Sequence, residues 1–320
     1  MMKTDALYNA RAHFPCVSVV TPSYNQAQFL EETILSVLDQ DYPNIEYIVI
    51  DGGSTDGSAD IIKKFERRLA YWISEPDRGQ SHAINKGWQH ARGDIVAYLN
   101  SDDLYTPGAI TIAVQGLLSN PDSCMVYSDA VVIDERSNAI GAAKGHPFDV
   151  GRVMTTQVKI PQPTMFVRRS ALDTVGLLDE RLHLCMDFDL WIRLGLKYPA
   201  TYLPGVSIAK MRAHTAAKST AALAKFPQER RRVLNRVFAQ SDLPASVKRV
   251  RKHAYSYMSF DQAAIAALVN QPQRILQPLL RSAMESPSYV ASRPLDVAYL
   301  LARSFLPWWK GRSLPTAPKV

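Results

Sequence analysis

Three short runs of β-branched and apolar residues recur early in the chain: Cys16-Val-Ser-Val-Val-Thr, Glu46-Tyr-Ile-Val-Ile-Asp and Asp94-Ile-Val-Ala-Tyr-Leu-Asn. They are continuous rather than alternating, so each predicts a strand buried on both faces. The first is expected to stop at Pro22, which cannot donate to a ladder. Between the first two, Ala27–Gln40 repeats Phe29, Leu30, Thr33, Ile34, Val37 and Leu38 at helical spacing. Ser58–Leu69, with Ile61, Ile62 and Phe65 apolar, and Ser81–Ala91 predict two more helices before the third strand. This β-α-β-α-β alternation implies a parallel sheet with helices on its faces. Further strands are expected at Met125–Tyr127 and near Ala200–Leu203, and Pro161-Gln-Pro, the amphipathic Asp187–Leu196 and Met211–Ser219 complete a first domain over residues 1–220. From about Ala221 the pattern becomes basic, alanine-rich and helical. Pro227, Pro244, Pro272, Pro278, Pro287 and Pro294 divide that region, 221–320, into short pieces.

In such sheets ligands bind beyond the carboxyl ends of the strands. Those ends read Thr21-Pro-Ser-Tyr-Asn, Asp51-Gly-Gly-Ser-Thr-Asp-Gly-Ser and Asn100-Ser-Asp-Asp. For one strand this is ordinary turn chemistry; three in succession predict a shared polar site. Asp51 suits a hydrogen bond from the imide N–H of a uracil or thymine ring, with Gly52 and Gly53 letting the ring approach. The competing reading makes Asp51 a helix cap, but Asp56 and Ser58 stand nearer the helix start. Asp102 and Asp103 repel each other, and a divalent cation is the natural neutralising species. Mg²⁺ and Mn²⁺ take one or two carboxylates and keep open positions for phosphate oxygens.

Composition narrows the partners. The chain of 320 residues is 47% hydrophobic and 21% charged, as expected of a globular protein. Its net charge of +7 is unevenly spread: residues 221–320 carry 16 Lys+Arg against 5 Asp+Glu, and residues 1–220 carry 21 against 25. The acidic balance of the front half argues against a nucleic-acid groove there. Three scattered cysteines, Cys16, Cys124 and Cys185, predict no disulfide framework and a reducing compartment. With no apolar signal-peptide core and no long apolar run, a cytoplasmic location is expected.

Val17-Ser-Val-Val-Thr-Pro-Ser-Tyr-Asn, Ile48-Val-Ile-Asp-Gly-Gly-Ser-Thr-Asp-Gly-Ser, Asn85-Lys-Gly and Asn100-Ser-Asp-Asp together resemble the family 2 glycosyltransferases of the GT-A fold. Gln162-Pro-Thr-Met-Phe-Val-Arg-Arg, Val175-Gly-Leu-Leu-Asp-Glu and Met186-Asp-Phe-Asp-Leu-Trp-Ile-Arg-Leu continue the same order, so that the resemblance covers roughly residues 16–220. It implies an α/β fold with a mixed, mainly parallel sheet flanked by helices, to which the C-terminal helical region is an extension. It also implies transfer of a sugar, with inversion, from a UDP-, dTDP- or GDP-sugar to a saccharide or lipid-linked acceptor, in cell-surface polysaccharide or glycolipid synthesis. On this likeness Thr21, Pro22 and Tyr24 border the nucleotide, Asp51 reads the base, and Arg78 and Gln80 lie on a loop over it. Asp102 lies by the ribose, Asp103 and His214 hold Mn²⁺ or Mg²⁺, Gln162 faces the sugar or acceptor, and Asp187 is the general base. One departure is His82, where many relatives carry an acidic residue. For Asp187 and Asp189 a second reading is available, in which acids in a helix's first turn favour its dipole. Leu190 and Trp191 read as core, while Arg212 and Lys218 read either as charge for the phosphates or as surface groups.

The segment Leu295-Asp-Val-Ala-Tyr-Leu-Leu-Ala-Arg-Ser-Phe-Leu-Pro-Trp-Trp, followed by Lys310 and Arg312, fits an interfacial helix. Residues 295–312 therefore suggest peripheral contact with the inner face of a membrane, and equally a helix packed on the catalytic domain or on a second subunit of a homo-oligomer. A dinucleotide oxidoreductase is disfavoured, because the first strand leads into no GxGxxG turn. The remaining alternative is a non-catalytic nucleotide-sugar binding module of the same fold. The joint presence of Asp51, Asp102, Asp103 and Asp187 speaks against it.

Overall fold

The computed structural model describes residues 14–214 and 222–305. They form two compact units. The first runs to Gly145 and takes up Ile160–Leu177 and Tyr198–Arg212. The second consists of His146–Lys159, Leu178–Lys197 and the chain from Ala213 onward.

One nine-stranded sheet lies in the first unit. Its parallel half is β3 (Tyr71–Ser74), β2 (Ile45–Asp51), β1 (Val17–Ser23) and β4 (Ile95–Tyr98), side by side in that order. All of β1 and β4, and all of β2 after Ile45, are buried. Burial on both faces is why these sequences run apolar without alternation. Past β4 the sheet becomes mixed. There β8 (Phe166–Arg168) runs antiparallel to both β4 and β6 (Met125–Ile133), and β9 (Thr201–Arg212) runs parallel to β6. Two antiparallel strands complete it, β5 (Leu104–Tyr105) on β9 and β7 (Ala139–Ala143) on β6. The expected mixed sheet with flanking helices is present.

Pro22 does not end β1. The strand continues to Ser23, with Pro22 opposite Ile50. The Val20 carbonyl accepts from Leu99 on the β4 side at 2.9 Å, and residues two apart face the same neighbour. The missing Pro22 N–H therefore points past the end of the β1–β4 pairing, where no ladder bond is due. On the other side Ser23 still accepts from Gly52 at 2.8 Å.

Helices fix where the strand ends lie. The buried face of α1 (Ala27–Leu38) carries Phe29, Leu30, Thr33, Ile34 and Val37. At the start of α2 (Ser58–Lys64), Asp56 accepts the Ser58 N–H at 3.0 Å, and its second oxygen accepts from Ala27 of α1 at 2.9 Å. In α3 (Gln80–His90) a side chain at Gly87 would fall 2.4 Å from Val20, so only glycine lets this helix lie so close on β1. Two further helices, α4 (Ala109–Ser119) and α6 (Arg169–Val175), belong to the same unit.

The second unit contains α5 (Val150–Met154), α7 (Met186–Gly195), α8 (Phe226–Phe238), α9 (Ala245–Leu268), α10 (Leu276–Glu285), α11 (Pro287–Ala291) and α12 (Pro294–Phe305). Its prolines mark beginnings more than breaks. Pro244 precedes α9, Pro227 lies in the first turn of α8, and Pro287 and Pro294 open α11 and α12. The expected short pieces are thus partly corrected, since α9 runs unbroken for 24 residues. Phe260, Ala263, Ile275, Leu279, Tyr289 and Leu300 form the core under these helices. No described helix is long and apolar enough to cross a membrane.

Candidate active site

At the end of β2, Asp51 is fully buried. One carboxylate oxygen accepts from the N–H of Gly53 (3.2 Å), the N–H of Ser54 (2.9 Å) and the Ser74 hydroxyl (2.6 Å). The other accepts from the Ser54 hydroxyl at 2.6 Å. Four donors match the roughly four lone-pair positions a carboxylate offers. Asp51 thereby folds the Gly-Gly-Ser turn back on itself and ties it to β3. Gly53 has φ +80°, a conformation glycine adopts without strain. A side chain at Gly52 would meet the Asp77 carboxylate at 2.6 Å and the Tyr24 ring at 3.3 Å. The open backbone that sequence suggested for a base is therefore bordered by Tyr24, itself 63% exposed, and Asp77. Thr21 is buried with its hydroxyl 3.0 Å from that of Tyr47, and Pro22 is buried beside it. The Ser23 hydroxyl is buried with no partner among the described residues. Arg78 is exposed, its backbone N–H 3.4 Å from Nδ1 of His82.

At the end of β4 the turn Ser101-Asp102-Asp103 is held from two directions. The Thr33 hydroxyl of α1 lies 2.9 Å from the carbonyls of both Ser101 and Asp103, sharing its one proton between them. From the end of β9, Arg212 donates its Nε to the Asp102 carbonyl (2.9 Å) and its backbone N–H to the Asp103 carboxylate (3.0 Å). The rest of its guanidinium meets the Asp134 carbonyl (2.9 Å), the Ser137 hydroxyl (3.0 Å) and Glu32 (2.7 Å), and lies 4.6 Å from the Phe29 ring centre. Neither sequence reading of Arg212 holds: its side chain is buried, and it braces the acidic turn.

Asn100 is the hub of the site. Its amide nitrogen donates to the other Asp103 oxygen and to Gln162, both at 3.1 Å, and its own oxygen accepts from Gln80 at 2.6 Å. Gln162 in turn donates to the Tyr98 carbonyl at 3.0 Å. Gln80, Asp103 and Gln162, chosen from three separate motifs, thus meet through one residue that sequence reasoning passed over as a strand end. Thr33 was missed in the same way. A hydroxyl inside the buried stripe of α1 must find a partner, and that was the available signal.

Asp103 is only 6% exposed. Burial and the neighbouring Asp102 carboxylate push its pKa well above the usual carboxylate value, outweighing the Arg212 and Asn100 hydrogen bonds. The geometry therefore holds an acid in place with neutral amide donors at a strand end. Among the described residues no group of three or more His, Cys, Asp or Glu side chains is placed to hold a metal ion.

Asp187 and His214 belong to the second unit. Asp187 is half-buried in the first turn of α7, while Asp189 is buried and salt-bridged to Arg193 (2.8 Å) and to Arg236 of α8. Leu190 is core as expected, and Trp191 is half-buried. His214 is half-buried, two residues beyond Arg212 in the chain. Lys218 and residues 306–312 lie outside the described residues.

Sheet, strand-end acids and flanking helices define a GT-A glycosyltransferase, and the comparisons agree. Residues 18–176 match Glycosyl transferase family 2. An uncharacterized glycosyltransferase of Rickettsia typhi is 30% identical over 217 residues, 65% of this chain and 67% of that protein. The putative teichuronic acid biosynthesis glycosyltransferase TuaG of Bacillus subtilis is 45% identical over 92 residues, 28% of this chain and 36% of its own length. Among solved structures, the mannosyltransferase PcManGT of Pyrobaculum calidifontis, in complex with GDP-Man and Mn²⁺, superposes with TM-score 0.62. It is 22% identical, over 93% of this chain and 82% of that one. The chain belongs to glycosyl transferase family 2, and the protein is a glycosyltransferase.

Proposed function

We propose that the protein moves a sugar from a nucleoside-diphosphate sugar to an acceptor hydroxyl with inversion, in the synthesis of a cell-surface polysaccharide or glycolipid. The observation that carries this reading is the buried Asp103, which accepts hydrogen bonds from the Asn100 amide and the Arg212 backbone N–H beside Asp102 at a strand end. Supporting it are the similarity to TuaG and the GDP-Man and Mn²⁺ held by the mannosyltransferase of the same fold.

Asp103 is the protein's main ligand for a divalent cation, with Asp102 beside it and His214 following in the chain. A single buried carboxylate fits Mg²⁺ or Mn²⁺, which fill their remaining positions with water and substrate phosphate. When bound, such a cation neutralises charge on the departing diphosphate. The nucleotide lies against Tyr24 and the turn ordered by Asp51, with Thr21 and Pro22 behind, Arg78 and Gln80 over it, and Asp102 at the ribose. Gln162 faces the sugar. As the acceptor oxygen attacks the anomeric carbon, the bond to the diphosphate breaks on the opposite face, and Asp187 takes the hydroxyl proton. A carboxylate suffices as base, because the hydroxyl becomes acidic only as the new bond forms.

The test is turnover with a panel of UDP-, GDP- and dTDP-sugars, alongside equilibrium donor binding. Asp187→Asn is expected to lower kcat by about 10²–10⁴ while binding the donor as tightly as wild type. A variant that transfers at the wild-type rate would remove Asp187 from the reaction.

A further inference from the structure

Nothing in the assignment above explains the basic C-terminal region, which lies beyond the residues matched to the family. One helix of it, α8, grips the chain on both sides of Asp187. Before Asp187, the carboxylate of Glu229 accepts three consecutive backbone N–H groups. His183 donates at 3.2 Å to each oxygen, Leu184 at 2.8 Å and Cys185 at 3.1 Å. These amides immediately precede α7, where the helix presents its positive end, so a buried negative charge is favoured there. Glu229 is 7% exposed. After Asp187, Phe188 is buried with the Arg230 guanidinium 6.0 Å from its ring centre, and Asp189 is salt-bridged to Arg236. Cys185 adds a contact from its sulfur to the Phe226 carbonyl at 3.7 Å. Phe226, Glu229, Arg230 and Arg236 thus fix residues 183–189, and Asp187 is the acid in the middle of that stretch.

We propose that Glu229 is a positioning residue for Asp187. It holds the turn into α7 so that the Asp187 carboxylate is presented at a fixed point, and the C-terminal region is thereby part of the catalytic apparatus. The inference rests on the reading of Asp187 as general base. The geometry does not favour a simple brace for α7 as a whole, because Glu229 bonds only the three amides preceding the helix and leaves its remaining turns to Arg193 and Arg236.

The experiment compares wild type, Glu229→Gln, Glu229→Ala, Asp187→Asn and the double variant Asp187→Asn/Glu229→Gln. Each is measured for kcat, donor KM and direct donor binding in the full-length chain. Glu229→Gln keeps the shape and one acceptor, so it remains informative if Glu229→Ala does not fold. Because a displacement of about 1 Å costs up to a hundredfold in rate, kcat is expected to fall roughly tenfold for Gln and further for Ala, with donor KM and binding unchanged. In the Asp187→Asn background the Gln substitution is expected to cost nothing more. Wild-type kcat in Glu229→Gln overturns the proposal, and so does a loss matched by weaker donor binding or one that persists without Asp187. Full activity in Asp187→Asn alone fails the underlying assignment instead, so the two failures are distinguishable.

Discussion

Both units contain acids held by neutral donors and acids paired with arginine. Buried Glu46 of the first is salt-bridged to Arg92, and buried Glu229 of the second accepts backbone N–H groups, so the contrast lies between particular acids. In the first, Asp51 and Asp103 are held by neutral donors: backbone N–H groups, serine hydroxyls and the Asn100 amide. In the second, Asp179, Asp189, Asp261 and Glu285 are each paired with arginine. Arg212 sharpens the contrast, for it donates its backbone N–H to Asp103 but sends its guanidinium to Glu32 and to carbonyls. An acid neutralised within the protein has been assigned to structure. Asp51 and Glu229, held by neutral donors, order backbone turns, and on the proposed reading Asp103 is the one of the three that takes a cation. Asp187 sits among arginine-paired acids, so its role rests on its place in α7 and not on charge balance.

Substitutions break or sharpen this contrast in graded ways. The largest effect is expected from Asp187→Asn, where loss of a general base removes about 10²–10⁴ in kcat, read in a transfer assay with melting temperature unchanged. Next is Asp189→Asn, which breaks the salt bridges of this buried acid to Arg193 and Arg236 while Arg236 keeps Asp179, and is expected to destabilise by about 3 kcal/mol in denaturant titration. Arg212→Met leaves the Asp102 and Asp134 carbonyls without their donor. It is expected to cost roughly 2 kcal/mol and to weaken cation-dependent donor binding, read by calorimetry. Thr33→Val removes one shared proton from the acidic turn, for a loss of about 1 kcal/mol.

The smallest effect concerns pH. Hydrogen bonding from Arg181, against the cost of burial, holds Asp179 below the ordinary aspartate value of 3.8, with Arg236 assisting. The folded form is then the weaker proton binder, so the stability Asp179 supplies is complete above that value and drains away as pH falls below it. The melting-temperature gap between wild type and Asp179→Asn is expected to be constant near neutrality and to shrink only below about pH 4.

Sequence was most legible where one physical cause acted alone. Burial on both faces gave β1, β2 and β4 continuous apolar runs, and helical spacing marked the buried face of α1. The antiparallel half left weaker traces. Only three residues make β8, and β7 is Ala-Ile-Gly-Ala-Ala with four of its five positions exposed, so neither has room for a period. At the site, the acids were visible as residue types, but their partners were set by tertiary contact. Asn100 joins segments 62 residues apart, and Arg212 reaches Glu32 across 180. Arg212 looked like a surface cation because one chain position carries no sign of what the sheet closes around it. The α8 grip on residues 183–185 was hidden for the same reason, since a glutamate in a basic, arginine-rich helix has the pattern of a solvated charge.

The most direct test is calorimetric binding of UDP-, GDP- and dTDP-sugars to wild type and Asp103→Asn, with and without Mn²⁺. The account predicts one donor nucleotide that binds wild type only with the cation and does not bind the variant, whose unliganded melting temperature is no lower. Equal binding by the variant, or wild-type binding indifferent to Mn²⁺, would contradict it.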